Sequence, residues 1–241
     1  MDYEAFAWHL IELRSRLIKI LLSFVFVFLI AWFFSEHLFY WFCKPTLSLA
    51  SKDYQLIAVD VTAPFMIPMK LAALFSIFFT APYWLHQIWG FVLPALYKHE
   101  LKKTKYLFGF STGLFYLGSC FSFFIIVPMA LRFFSSILPQ NVVMMNDIRN
   151  YLDFVWQLVL AGGLAFQVPL IAYLLVLFDI VSAQDLKACR RYVIVGAFVL
   201  GMLLTPPDVV SQILLALPMW FLFELGLWFS IRHARKFKKS I

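Results

Sequence analysis

Charge is what this 241-residue chain has least of: 14% of its residues are Asp, Glu, Lys or Arg, against 63% apolar ones. No water-soluble domain of this length hides that much apolar surface, so a soluble fold is excluded. Glycine is scarce as well, nine in all. None of the nine builds the Gly-rich phosphate loop of a nucleotide-driven machine, so any work must draw on another energy source or on a partner. The three cysteines are Cys43, Cys120 and Cys189. With Cys43 on the outer side, Cys120 in the membrane and Cys189 on the cytoplasmic side in the layout read below, they cannot pair with one another, and no disulfide framework follows. A metal-binding helix motif, a nucleophile–base pair, a nucleic-acid motif and a convincing internal repeat are all missing, so no cofactor or metal is expected. The missing repeat also weakens the case for an inverted-repeat transporter.

What remains is apolar helix. Six segments approach the roughly 20 residues that a span needs: Leu17–Phe34, Ala63–Trp89, Tyr106–Leu131, Leu152–Phe178, Tyr192–Leu204 and Val209–Phe229. No small-residue cleavage site follows the first, so it reads as a span and not as a removable signal peptide. Fifteen of the 20 Lys and Arg lie before or at the start of the first segment, after the second and fourth, and in the tail. The positive-inside bias therefore puts both termini in the cytoplasm. The fold expected is an all-α integral membrane protein, a single polytopic domain of six transmembrane helices, and the net charge of +7 points to anionic lipid and not to nucleic acid.

Around the spans, residues 1–16 read as a cytoplasmic interfacial helix in which Glu12 and Arg16 pair at i,i+4. Residues 35–62 form an ordered cap on the opposite side, free of Gly, with Pro45 barring a helix. Residues 90–105 form the first cytoplasmic loop, turning at Pro94, and 229–241 form a basic tail. Pro128 and Pro169 should kink or tilt the third and fourth spans. Gly109 and Gly113 form one GxxxG pair suited to close helix packing. The last two spans look short. Tyr192–Leu204 has 13 residues, about 20 Å of helix, against a bilayer core of about 30 Å. Between them Asp208 is placed to cap the final helix, which carries Gln212, Pro218 and Glu224.

Two polar features invite function. Glu100 is a lone carboxylate beside Lys98, Lys102, Lys103 and Lys105. It reads either as a solvated helix-pair partner or as a receptor for a cationic ligand at the membrane surface. Gln167 sits mid-span, as interhelical glue or as a contact for an entering polar segment. Three function classes compete: a receptor for protein export, a small-solute or ion transporter, and an intramembrane enzyme. A transporter should carry charged or broken-helix elements at the midplane, where Gln167 is the only strongly polar candidate.

Several strings resemble the TatC subunit of the twin-arginine protein translocase. They are His9-Leu-Ile-Glu12-Leu-Arg14, Asp60-Val-Thr-Ala-Pro64-Phe65, Phe91–Glu100, Phe166-Gln167-Val-Pro169, Arg190-Arg191-Tyr192 and Gly201–Gln212. The resemblance covers essentially the whole chain in order. It implies a multi-pass protein of the bacterial cytoplasmic (inner) membrane that receives the twin-arginine signal peptides of folded cargo, with the proton motive force as driver. It implies a signal-peptide site of Glu12, Arg14, Phe91, Leu96, Tyr97 and Glu100. It implies a patch for TatA-type and TatB-type single-span partners at Met202, Leu203, Thr205 and Gln212, structural roles for Pro45, Asp60, Pro94 and Asp208, a periplasmic side for the 35–62 cap, and self-association. Many relatives carry Glu at the position of Gln167, so an ionic role there is not expected of this chain.

Overall fold

An apolar chain without water around it must satisfy its backbone internally, and helices do so segment by segment. The computed structural model follows that rule; it describes residues 3–40, 42, 55–96, 101–137, 145–178, 180–204 and 209–238. In chain order they form α1 (Tyr3–Phe33), a short α2 (35–40), β1 (Gln55–Ile57), α3 (Ala63–Leu96), α4 (Leu101–Phe121), a π-helical turn (Ser122–Ile126), α5 (Val127–Ser136), β2 (Met145–Asp147), α6 (Ile148–Ala165), α7 (Val168–Leu177), α8 (Ala183–Ala188), α9 (Arg190–Leu204) and α10 (Val209–Lys238). Pro45, Tyr97, Glu100, Thr205 and Asp208 lie outside the described residues.

Five stretches among the described residues are long and apolar enough to cross a bilayer: Leu10–Phe33, Ala63–Phe91, Leu107–Ser136, Ile148–Leu177 and Gln212–Arg232. The sixth is α9, whose 15 residues span about 22 Å. The last helix is not short. α10 runs for 30 residues, because Pro218 is tolerated in its interior and the basic tail continues the helix. α1 also departs from expectation. It is one helix of 31 residues, with no turn setting 1–16 apart, because no Gly or Pro lies within it. α3 likewise passes through Pro94 to Leu96. The proline costs the helix the hydrogen bond to the carbonyl four residues back, but a single lost bond does not end α3 before Leu96.

The prolines act as expected in the third and fourth spans. Ahead of Pro128 the helix widens, and the Val127 N–H donates to the Ser122 carbonyl, five residues back. This π turn makes room for the ring. Ahead of Pro169 the helix breaks: Phe166 and Gln167 form a turn, the Gln167 N–H donates to the Leu164 carbonyl at 3.0 Å, and Pro169 enters the first turn of α7. One feature departs from an all-helical reading. β1 and β2 pair in parallel, Gln55 with Met145 and Ile57 with Asp147, which ties part of the expected cap to the segment before α6.

The chain divides into two compact units, Met1–Lys44 with Asp60–Thr112, and Pro45–Val59 with Gly113–Ile241. In the first, α1 packs on α3. Phe24 stacks on Phe28 and Phe28 meets Trp32 edge-to-face, each at i,i+4, and Trp32 meets Phe65 with ring centroids 5.6 Å apart. Asp60 shapes the entry to α3, its carboxylate accepting from the Thr62 N–H at 3.0 Å. Trp89 donates its indole N–H to Ser111 at 2.8 Å, joining α3 to the start of α4.

In the second unit, helices approach through small residues. A Cβ on Gly118 would lie 2.5 Å from the Gly162 carbonyl, and one on Gly163 2.7 Å from the Phe115 ring. A Cβ on Gly162 would collide with the Ser122 hydroxyl. Gly226 on α10 faces Pro169, where a Cβ would lie 2.5 Å from the proline Cα. Beside that crossing Ala172, Val176, Leu186, Phe223 and Leu227 form a buried cluster. The GxxxG pair is not the packing site: a Cβ on Gly109 or Gly113 would meet nothing within 4 Å among the described residues.

Candidate functional site

Two places carry the polar chemistry that the sequence singles out. The first belongs to the α1–α3 unit. Glu12 and Arg16 lie one turn apart on α1, and Arg16 donates twice to the same carboxylate oxygen, Oε1, from Nε at 3.0 Å and from Nη2 at 2.7 Å. The third nitrogen, Nη1, crosses to α3. It donates to the Gln87 backbone carbonyl at 3.3 Å and to the Gln87 side-chain oxygen at 3.2 Å. The arginine is the inner member of the pair, its side chain 22% exposed against 44% for Glu12. Gly90, one turn beyond Gln87, makes the crossing possible, because a Cβ there would lie 2.7 Å from Nη1.

Phe91 follows on α3 and is half-buried, and Arg14 is exposed on α1. Leu96 and Pro94 are helical, in the last turns of α3. Glu100 and Tyr97 lie outside the described residues, so what α1 and α3 provide directly is Glu12 with its arginine. The i,i+4 pairing of Glu12 and Arg16 is legible in the sequence. Gln87 and Gly90 are not, since Gln87 is 71 residues from Arg16 and neither residue carries a charge.

The second place is the α9–α10 hairpin in the other unit. Gln212 donates its side-chain amide to the Phe198 carbonyl at 2.8 Å. Gly201 lets it lie flat, a Cβ there reaching the Gln212 Cγ at 3.1 Å. Gln212 thus holds α10 to α9 through an amide within the apolar part of both helices. Tyr192, Val195, Val199 and Met202 recur at i, i+3, i+7 and i+10 along α9 and are all exposed, Met202 at 65%. They form an apolar stripe on a helix too short to cross a bilayer alone. Leu203 is helical and Thr205 lies outside the described residues. At the basic end of the hairpin Arg190 and Glu224 pair at 2.6 Å, a contact over 34 residues of sequence that neither helix announces.

Gln167 belongs to neither α1–α3 nor the α9–α10 hairpin. It sits in the α6–α7 break at 6% exposure, and its backbone carbonyl accepts from the Ile171 N–H at 2.9 Å. Among the described residues no group of three or more His, Cys, Asp or Glu is arranged to hold a metal ion.

Comparison with known proteins sorts the competing function classes. A family model described as Sec-independent protein translocase protein (TatC) matches residues 8–218. The chain is similar to the Sec-independent protein translocase protein TatC of Azotobacter chroococcum, 44% identical over 227 residues that cover 93% of this chain and 89% of the relative. It is similar to that of Escherichia coli K12, at 42% over 95% of this chain and 89% of the relative. A solved crystal structure described as the twin arginine translocase receptor TatC superposes with a TM-score of 0.85 at 34% identity, over 92% of this chain and 97% of that one.

Proposed function

The chain belongs to the TatC family, and from that premise we propose that it is the twin-arginine receptor of a Sec-independent protein translocase. It is a multi-pass membrane protein, its work is recognition and transport and not catalysis, and it acts as one component of a complex. The single observation that carries this reading is the likeness of 92% of the chain to a solved receptor of that name.

The recognition step falls to the cytoplasmic ends of α1 and α3, with both termini and the 90–105 segment cytoplasmic as the basic bias implies. Two arginines are best held by carboxylates, whose oxygens match the planar guanidinium donors. Glu12 at the edge of the membrane-suited stretch of α1, and Glu100 just past α3, supply two. Phe91 offers an apolar wall, Leu96 and Tyr97 follow it in the chain, and Arg14 lies two residues from both Glu12 and Arg16, about half a turn away on α1. The apolar part of the signal peptide then lies along the spans.

Partner recruitment falls to the α9–α10 hairpin. The stripe that ends in Met202, with Gln212 on α10 and with Leu203 and Thr205 next in the chain, suits a single-span helix of TatA or TatB type, itself short enough to match a thinned bilayer. The location follows as the bacterial cytoplasmic (inner) membrane, with the proton motive force as driver and self-association within the receptor complex.

Binding of a twin-arginine signal peptide to the purified chain in nanodiscs tests the reading. Glu100→Gln keeps the shape and removes the charge, and should weaken binding by about ten- to a hundredfold, as for loss of a charge-assisted pair. Changing both peptide arginines to lysine should also weaken it. The two losses should be less than additive, because they remove one contact. Fully additive losses would show that Glu100 does not touch the arginines.

A further inference from the structure

We propose that Arg16, framed by Gln87 and Gly90, is a positioning residue. It holds the Glu12 carboxylate by one oxygen so that the other is presented to an arginine of the cargo. The proposal rests on the reading of Glu12 as a receptor carboxylate and adds how that carboxylate is aimed.

The geometry is one-sided. Both Arg16 donors to Glu12, Nε and Nη2, go to Oε1, and among the described residues Oε2 accepts no hydrogen bond. An i,i+4 pair on a helix surface is ordinarily loose and weak, because two long side chains must be ordered for little gain. This one is not free to wander, since Nη1 is fixed twice to Gln87 on α3. Gly90 supplies the space, for any side chain there would press on Nη1. Three residues on two helices, Arg16, Gln87 and Gly90, thus fix the direction of one carboxylate.

Charge argues the same way. Glu12 and Arg16 together are neutral, so the pair exerts little long-range pull on a cationic peptide. What is left is a directional acceptor. A guanidinium can use it while its second nitrogen reaches a neighbouring group, whereas a lysine ammonium presents a point charge and no fork. A carboxylate aimed by a resident arginine therefore favours arginine over lysine more than a freely rotating one does.

Gly90→Ala is the sharpest probe. The group its Cβ meets is the far end of a flexible side chain, so the arginine tip shifts while the helices stay. Alanine is also the better helix former, by roughly 1 kcal/mol. Fluorescent twin-arginine peptide would be titrated into the full chain in nanodiscs, alongside its twin-lysine counterpart and a thermal melt. The expected result is an affinity loss of about five- to tenfold with no drop in thermal stability, a smaller preference for arginine over lysine, and a similar loss for Arg16→Lys. In a Glu12→Gln background Gly90→Ala should cost less than about twofold more, because the group being aimed is gone. Normal binding by Gly90→Ala beside weakened binding by Glu12→Gln overturns the positioning role and leaves the receptor reading standing. Equal losses from Gly90→Ala in both backgrounds also overturn it. Normal binding by Glu12→Gln removes the receptor carboxylate and the positioning role together.

Discussion

α1 and the α6–α7 span are about equally apolar, yet they are used in opposite ways. Only 6% of the apolar window of Leu10–Phe33 is buried within the molecule, against 61% of that in Ile148–Leu177. Leu22, Phe26, Leu29 and Phe33 recur along one side of α1 and are exposed at 64, 67, 64 and 88%, a stripe for lipid or for other chains. The fourth span is embedded among α4, the π turn and α10, through Gly162, Gly163 and Pro169. Hydropathy does not separate the two. Small residues and proline do. In a medium as apolar as the side chains, burial is won by backbones that come close and not by dislike of water.

The largest expected effect breaks that close approach. Gly162→Leu drives a branched side chain into the Ser122 hydroxyl and the Gly118 carbonyl. Over-packing of this kind costs about 1–3 kcal/mol and more where backbone is in the way. The variant should melt well below the wild type in detergent, and an unchanged melting temperature would mean that the contact is soft. Gln167→Leu comes next. It swaps a buried amide at the helix break for an apolar side chain, and should leave signal-peptide binding intact while slowing export in a vesicle assay. Gln167→Glu should be tolerated in the same assay. Normal export by the leucine variant would reduce the residue to packing.

Smaller still is Glu224→Gln. The Arg190–Glu224 pair is part-exposed, at 43% and 27%, so its loss should cost at most about 1 kcal/mol, read as a small shift of the melt that vanishes at high salt. The smallest effect is on α1. Phe26→Ala, on the exposed stripe, should change stability by no more than about 0.5 kcal/mol. A larger loss would mean that α1 is covered by something the isolated chain does not show.

Much of this was legible in the sequence, and the misses share a cause. The spans, the short α9 and the break before Pro169 follow from runs of apolar residues and the chemistry of one proline, all local. The extension of α3 through Pro94 and the full length of α10 were missed because a proline or a basic tail weakens a helix without forbidding it. Contacts distant in sequence left no local trace: Arg16 with Gln87, Arg190 with Glu224, and the three-residue pairing of β1 with β2. Gly109 and Gly113 misled in the other direction. They match a packing motif, but the faces that meet carry Gly118 and Gly162, which no fixed spacing links. Gly90 is a glycine whose meaning appears only once a guanidinium from another helix arrives beside it.

The central claim is that the arginine pair of a signal peptide is received at the ends of α1 and α3 and not in the buried α6–α7 span. A photoreactive residue placed next to the twin arginines of a purified signal peptide, irradiated with the full chain in membranes and mapped by mass spectrometry, tests it most directly. The account predicts adducts within residues 9–16 and 91–100, lost when Glu12 and Glu100 are both changed to glutamine. Adducts concentrated on α6 or α7, or adducts at 9–16 and 91–100 that persist in the double variant, would contradict it.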